Sequence, residues 1–184
     1  MSGPPDASLA AVLRQAQELG FLGERPIPEV IEHARSYSRA LMGVTGRVLD
    51  LGSGGGVPGL VIANDRPDLE VVLLDRRTKR TDFLERAVRR LRWTARVEVV
   101  AGEAADHLRA EAGTFAAVVA RGFGPGEATL RLAAQAVRAG GLIVISEPPE
   151  GGPDRWPDDL LVDLGVERGS RIGAVATFRK GHRG

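Results

Sequence analysis

A glycine-rich stretch, Asp50-Leu-Gly-Ser-Gly-Gly-Gly-Val-Pro-Gly59, contains the residues whose types and spacing are best suited to binding a ligand. Glycine at 52, 54 and 56 allows a tight turn and a close approach of the backbone to a ligand, because a Cβ would block one or the other. An acid, Asp75, follows Gly56 after nineteen residues. At that distance a carboxylate can accept hydrogen bonds from both hydroxyls of an adenosine ribose. The pattern therefore predicts a site for an adenosine-containing ligand.

Two kinds of adenosine ligand share this spacing, and the loop distinguishes them. Dinucleotide sites use G-x-G-x-x-G to present a helix N-terminus to a pyrophosphate, whereas this loop reads D-x-G-x-G-x-G and begins with Asp50. S-adenosylmethionine carries a sulfonium and an ammonium group in place of phosphates, so an acid beside the loop favours it. Two plainer interpretations stay open. The glycine-rich turn can be purely structural, and Asp75 can simply cap the next helix.

The composition limits the other kinds of site. The 184 residues include no cysteine, and the three histidines, His33, His107 and His182, are far apart, so we expect no disulfide and no metal site. The formal net charge of +1 argues against binding nucleic acid by overall charge, although nine basic residues cluster between Arg76 and Arg96. No apolar run is long enough to span a bilayer, and no signal peptide is recognisable. We expect a cytoplasmic protein with no membrane partner.

The elements that must position the loop alternate along the chain. From Arg47 onward, short apolar runs alternate with longer amphipathic ones, which is typical of βαβ units around a mostly parallel sheet. Strands are predicted over Arg47–Leu51, Leu69–Asp75, Arg96–Gly102, Phe115–Arg121 and Gly141–Ser146, and helices over Pro58–Asp65, Lys79–Leu91, Glu103–Arg109 and Glu127–Ala139.

Both ends of the chain add further elements. Residues 1–45 read as a helical prelude with amphipathic stretches at Ala7–Gly20 and Glu29–Met42. The tail adds a helix at Asp158–Leu164 and two strands, around Val166–Arg168 and Ala174–Arg179, which suit an antiparallel pair with its turn between Gly169 and Gly173. We predict one domain over residues 1–184, with the prelude packed on a doubly wound α/β core over 46–184.

Four segments resemble the bacterial 16S ribosomal RNA guanine-N7 methyltransferases, also called the glucose-inhibited division protein B family. Val57-Pro-Gly59 resembles the hydrophobic-Pro-Gly signature that ends the family's glycine loop, and Leu73–Leu84 resembles its second-strand acid with the basic pair and Phe-Leu that follow. Val118-Val-Ala-Arg-Gly-Phe123 is similar to the family's Ser-Arg-Ala segment, and Ile31–Arg35 to its Arg-His element. The resemblance runs from about Gly20 to Gly141.

The resemblance implies a Rossmann-like class I methyltransferase fold with a mostly parallel seven-stranded sheet. It also implies S-adenosylmethionine as cofactor, and 16S ribosomal RNA or the small ribosomal subunit as partner. It places Gly52 and Val57 at the methionine end of the cofactor, Asp75 on the ribose, and Ala104 and Ala105 at the adenine. Arg121 is expected beside the cofactor and the target base as the catalytic residue, unless it merely pairs with a surface acid. The full set of expected cofactor residues is Asp50, Gly52, Gly54, Gly56, Val57, Asp75, Ala104, Ala105 and Arg121.

The segment after the fifth strand leaves alternatives open. Ser146-Glu-Pro-Pro-Glu150 stands where the family has Leu-Lys-Gly, so two acids replace a cation beside the expected substrate. A methyltransferase for a small molecule, with Glu147 as a binding group, is one alternative. A non-catalytic adenosylmethionine-binding module is a second, and a nicotinamide dehydrogenase is a distant third. Cytosine-C5 methylation is excluded, because it requires a cysteine nucleophile.

Overall fold

A single sheet of seven strands lies at the centre of the computed structural model, which describes residues 5–148 and 155–182. The first five strands run parallel in the order β3-β2-β1-β4-β5, and β7 pairs antiparallel with both β5 and β6. The mostly parallel sheet and the antiparallel final pair are therefore confirmed. The strands are β1 Arg47–Leu51, β2 Glu70–Asp75, β3 Val97–Ala101, β4 Phe115–Ala120, β5 Val137–Ser146, β6 Val166–Ile172 and β7 Val175–Lys180.

Helices cover both faces of the sheet, as the doubly wound class requires. Helices α1 to α4 share one hydrophobic cluster with the sheet, and α5 to α7 share a second on the opposite face. Every residue of β4 is buried, which explains its continuous apolar sequence. Within the described ranges, no helix has the length and apolar character needed to cross a membrane. The helices are α1 Pro5–Glu18, α2 Ile27–Ala40, α3 Gly59–Asp65, α4 Thr78–Arg90, α5 Ala104–Glu111, α6 Gly126–Ala136 and α7 Asp158–Leu164.

The largest departure from the sequence prediction lies between α6 and β5. The predicted helix over Glu127–Ala139 ends at Ala136, and the strand begins at Val137 instead of Gly141. Val137 has extended backbone angles, is 2% exposed and pairs with Phe115 of β4. Burial of a β-branched side chain in the sheet therefore outweighs the helical propensity of the alanine-rich sequence.

The C-terminal strands depart less from the sequence prediction. Strand β6 continues through Gly169 to Ile172, so Gly169 lies inside the strand, near a shift in its register with β7. The turn contains Gly173, which has a φ of 57°. The other described helices and strands end within two residues of their predicted limits.

Helix α2 is tied to the strand that ends at the ligand-binding edge. The hydroxyl of Tyr37 donates a hydrogen bond of 3.1 Å to the carbonyl oxygen of Ala120, the last residue of β4. Burial raises the pKa of Tyr37 above its ordinary value. Leu9 and Leu13 of α1 belong to the same cluster as Tyr37 and Val119, so both prelude helices pack on the sheet.

We expect Tyr37→Phe to lower the free energy of unfolding by about 1 kcal/mol, because it removes one buried hydrogen bond and leaves the ring in place. Urea unfolding measures the change. Val162→Ala is the control, since Val162 is 80% exposed and its truncation removes little packing. Equal stability of Tyr37→Phe and wild type would contradict a stabilising role for the bond.

Candidate functional site

The loop between β1 and α3 makes the tight turn that the glycine spacing predicts. Gly52 has a φ of 77° and Gly54 a φ of 56°, a region that side chains other than glycine rarely adopt. A Cβ at Gly52 would also lie 2.5 Å from Cδ2 of Phe123. Backbone conformation and space therefore both require glycine at position 52.

Several N–H groups of this loop are already bonded within the protein. The N–H groups of Gly52 and Ser53 both donate to the carbonyl oxygen of Leu74 at 2.9 Å, and the N–H of Gly54 donates to Oδ2 of Asp75 at 2.9 Å. A phosphate-binding loop presents such groups to the ligand. This loop offers a backbone that can be approached closely, with its donors directed toward β2.

Asp75 ends β2 with its carboxylate 5% exposed. Its Oδ2 accepts the bond from Gly54, and its Oδ1 accepts one of 2.9 Å from the N–H of Arg77. Arg77 immediately precedes α4, so this bond holds the chain at the entry to that helix, but no side chain of the described residues caps the first turn of α4 and the capping interpretation is not confirmed. The Nη1 of Arg80 lies 3.6 Å from Oδ2. Each carboxylate oxygen has more than one lone pair, so Asp75 can still accept bonds from hydroxyl groups.

A cavity of about 300 Å³ opens beside Asp75, at the carboxyl ends of the strands. This is the edge at which open α/β sheets bind ligands. Three arginines and two acids make the cavity strongly polar. Among the described residues, no three His, Asp or Glu side chains are grouped as metal ligands. The lining residues are Gly52, Leu74, Asp75, Arg76, Arg77, Arg80, Gly102, Glu103, Ala104, Gly122 and Phe123.

The cavity brings together part of the predicted cofactor set. Gly52, Asp75 and the buried Ala104 line it, although they come from three different strand ends. Ala105 is exposed on α5 and does not line it. The other predicted residues do not line the cavity wall. Gly54, Gly56 and Val57 belong to the glycine loop itself, Asp50 lies beneath the loop, and Arg121 lies beside it.

Sequence reasoning did not assign five charged or aromatic residues to the wall, namely Arg76, Arg77, Arg80, Glu103 and Phe123. Glu103 directly precedes the predicted Ala104, so the sequence could have placed it in the site, just after β3. Arg80 lies in the first turn of α4, and its approach to Asp75 follows from the helix spacing. The sequence around Phe123 did not predict its place on the wall, because its contact with Gly52 joins residues 71 positions apart.

Asp50 lies underneath the loop and is fully buried. Its Oδ2 accepts a hydrogen bond of 2.9 Å from the N–H of Gly59, the first residue of α3. Its Oδ1 is buried and has no hydrogen-bond partner among the described residues. Complete burial raises the pKa of Asp50 to about 7, against the opposing effects of the Ser53 hydroxyl, the Gly59 bond and the charge of Arg121. In this structure Asp50 holds the glycine loop against the start of α3.

Arg121 follows the last residue of β4 and is half-buried. Its Nε donates a hydrogen bond of 3.1 Å to the carbonyl oxygen of Val57 in the glycine loop. No carboxylate of the described residues forms an ion pair with it within 4.0 Å, so the alternative of pairing with a surface acid is not observed. Arg121 instead connects the end of β4 to the loop.

Glu147 turns toward the tail of the chain. Its Oε1 accepts a hydrogen bond from Nε1 of the buried Trp156 and lies 3.8 Å from Nη1 of Arg155. The Arg155 guanidinium in turn lies over the Trp156 ring, 4.9 Å from its centroid. Glu147 therefore has a structural role: it bonds to Trp156, and the nearby Arg155 offsets its negative charge. Glu150 lies outside the described residues.

The fold matches solved structures of methyltransferases. A putative S-adenosyl-L-methionine-dependent methyltransferase from Methanococcus maripaludis has a TM-score of 0.65 over 100% of this chain and 97% of its own, at 14% identity. An O-methyltransferase from Bacillus cereus, solved in complex with SAH, has a TM-score of 0.65 over 96% of this chain and 90% of its own, at 17% identity. Identities this low relate the folds alone. The chain has the Rossmann-like fold of the class I methyltransferases.

Sequence relatives define the family. The family model of rRNA small subunit methyltransferase G, GidB, matches residues 9–147. Ribosomal RNA small subunit methyltransferase G of Salinispora arenicola is 38% identical over 134 residues, which are 68% of this chain and 54% of the relative. Its counterpart in Neisseria meningitidis serogroup C is 36% identical over 120 residues, 63% of this chain and 55% of the relative. The chain belongs to the GidB family, as its motifs predict, and spans about half the length of these curated relatives.

The buried Asp50 predicts a pH dependence of stability. Because its pKa is raised from 3.8 to about 7 in the folded protein, the folded state holds a proton that the unfolded state releases as the pH rises from 4 to 7. The stability contributed by protonated Asp50 is present below pH 4 and is lost as the pH rises through 7. Asp50→Asn, whose amide oxygen can still accept the Gly59 bond, should therefore gain stability relative to wild type between pH 5 and pH 8.

Urea unfolding at the two pH values measures this difference. Asp82→Asn, a change at an exposed position of α4, is the control and should show a difference from wild type that hardly varies with pH. A pH-independent difference for Asp50→Asn would mean that Asp50 is ionised in the folded protein throughout this range.

Proposed function

We propose that this protein is an S-adenosylmethionine-dependent methyltransferase that methylates guanine N7 in 16S ribosomal RNA, in the cytoplasm, with the small ribosomal subunit or its RNA as partner. The single observation that carries the proposal is the nearly buried carboxylate of Asp75 beside the close backbone of Gly52, at one cavity of a GidB family member. The names of the sequence relatives support the RNA substrate.

The residues at the cavity fit the cofactor in size and chemistry. Asp75 and Glu103 are acceptors for ribose hydroxyls, and Ala104 is assigned to the adenine chiefly through its backbone. Gly52 and Val57 belong at the methionine end, where the backbone of the glycine loop can be approached closely. Asp50, Gly54 and Gly56 hold the loop in the required conformation. Ala105 stays in the set as a backbone contact at the start of α5.

The same loop disfavours a nicotinamide dinucleotide. Its N–H groups at Gly52, Ser53 and Gly54 are bonded to β2, so they cannot also cradle a pyrophosphate. S-adenosylmethionine carries no phosphate and does not need these donors.

The reaction requires little of the protein other than alignment of the methyl group with the accepting nitrogen. S-adenosylmethionine supplies a methyl group from its sulfonium centre to the lone pair of guanine N7, and the sulfur keeps the electrons of the broken bond. Guanine N7 carries no proton, so no general base is needed. Holding the base in line and excluding water are the contributions expected of the site.

Arg121 is the residue that we assign to the target nucleotide. Because 7-methylguanine is cationic, a guanidinium cannot serve to stabilise its charge directly. Five N–H donors in a planar fork suit a phosphate or the O6 carbonyl of guanine. The bond from Nε to Val57 fixes one edge of the guanidinium and leaves Nη donors for the nucleotide.

Two features make the RNA substrate compatible with the acids that follow β5. The charge of Glu147 is directed at Trp156 and Arg155 and is not offered to a phosphate or to a cationic small molecule. The solvent side of α4 carries Arg86, Arg89 and Arg90, all exposed. These positions lie along α4 beyond Arg80, which lines the cavity, and exposed arginines are suited to phosphate contacts.

We expect the isolated protein to bind S-adenosylmethionine at one site and to show no binding of NAD. Replacing Asp75 by Ala should weaken binding of S-adenosylmethionine by about 1 to 3 kcal/mol, the usual range for loss of a hydrogen bond to a charged group. Isothermal titration calorimetry measures both ligands, with Asp82→Ala as the matched control on the neighbouring helix. Tight NAD binding would refute the cofactor, and unchanged affinity in Asp75→Ala would leave Asp75 with only its structural bonds to Gly54 and Arg77.

Methyl transfer to small ribosomal subunits, or to their stripped RNA, tests the substrate. Wild type should form 7-methylguanine, Arg121→Ala should lower the rate about 100-fold, as expected for loss of a charged contact worth about 3 kcal/mol, and Glu147→Gln should stay close to wild type. Glutamine can still accept the Trp156 bond, so the tail keeps its anchor.

Two controls sharpen this experiment. Arg131→Ala removes an arginine whose partners are Glu127 and Asp163 on the far helices, and it should not affect transfer. Loss of activity in Glu147→Gln, with cofactor binding intact, would indicate a small-molecule substrate. Binding of the cofactor with no transfer to either RNA form would refute the RNA methyltransferase and favour a non-catalytic module.

A further inference from the structure

The side chain of Phe123 lies where the cofactor cavity meets the end of β4. Its ring rests against Gly52, since a Cβ at that glycine would lie 2.5 Å from Cδ2. The ring lines the cavity and is half-buried, with its inner edge packed on the hydrophobic cluster of α5 to α7. The remainder of the ring is available to a ligand.

Phe123 differs in kind from the rest of the cavity wall. Leu74 and Ala104 are 1% and 7% exposed, so they offer little surface, and most of the other lining residues are charged or are glycines. Among these described lining residues, Phe123 is the one aromatic ring. A partly exposed ring in a polar cavity leaves apolar area in contact with water, and that area gains free energy when a flat apolar ligand covers it.

The space around the ring is unobstructed on the β4 side. The two neighbours of Phe123 are Gly122 and Gly124, and a Cβ at Gly122 would meet no atom within 4 Å. The adenosine acceptors, Asp75 and Glu103, come from the ends of β2 and β3 instead. The ring therefore belongs to the part of the wall that follows β4, two residues after Arg121, which the proposed function assigns to the target nucleotide.

We propose that Phe123 is the stacking surface for the target guanine, a role that rests on the proposed function. Sequence-specific RNA recognition commonly stacks an unpaired base on an aromatic side chain. The ring would hold the base plane while Arg121 binds a polar edge or phosphate, so that N7 is aligned with the methyl group. The face of an aromatic ring also attracts cations, so the contact strengthens as the base becomes 7-methylguanine.

The experiment compares Phe123→Tyr, which keeps an aromatic face, with Phe123→Leu, which keeps apolar bulk. Isothermal titration calorimetry gives the Kd for S-adenosylmethionine, and initial rates on small ribosomal subunits give kcat and KM. We expect Phe123→Tyr to stay within about 3-fold of wild type and Phe123→Leu to lose at least about 10-fold in kcat/KM, as expected from stacking energies. The Kd for the cofactor should change by less than about 3-fold in both, which also shows that the variants are folded.

Two results would overturn the inference. Equal kcat/KM for Phe123→Leu and Phe123→Tyr would show that aromaticity is not used. A loss of cofactor affinity that accounts for the whole loss of kcat/KM would assign the ring to the cofactor. Absence of methyl transfer by wild type is a different result, because it refutes the proposed function before the two variants are compared.

Discussion

The site depends on the hydrogen bonds that the carboxylate of Asp75 accepts. The carboxylate accepts N–H bonds from Gly54 and from Arg77, and so joins the glycine loop, the end of β2 and the start of α4. A carboxylate that is nearly buried is costly unless such donors satisfy it. The charge that a ribose would meet is therefore also the charge that holds the loop and the helix around the cavity. Holding the loop and Arg77 is compatible with binding a ligand, because the two oxygens have enough lone pairs for both.

The direction of the loop's N–H groups distinguishes a site for S-adenosylmethionine from a site for a dinucleotide. Glycine spacing and a distant acid are common to both kinds of site. In this protein Leu74 and Asp75 take N–H bonds from the loop, so the loop is pulled toward β2 and its donors are no longer free for phosphate. The leading acid of the motif, Asp50, has a related structural task, since it accepts the first N–H of α3. The acids of the motif thus remove phosphate-binding capacity through geometry as well as through charge.

Local patterns predicted the features that depend on local forces. Strand β1 and helix α7 begin and end where predicted, because glycine or proline bounds apolar segments of the right length. The end of α6 was misplaced because pairing of Val137 with Phe115 is a tertiary effect. The same limit applies to the site. Gly52, Asp75 and Ala104 lie at the ends of predictable strands, whereas Phe123 meets Gly52 only after distant segments have packed together. Burial of Asp50 could not be read from its position, since an acid beside a glycine loop can face either the ligand or the core.

Two contacts connect the end of β4 to the glycine loop, and they constrain how an acceptor can be held. Arg121 bonds to the carbonyl of Val57, and Phe123 rests on Gly52. Because both partners belong to the loop, the residues assigned to the target nucleotide cannot take up their positions independently of the residues assigned to the cofactor. Rigid alignment is the main contribution that a reaction without proton transfer can receive from a protein. A loop whose conformation is determined by Asp50, Asp75 and β2 can therefore position the acceptor side through the same few bonds that shape the cofactor cavity.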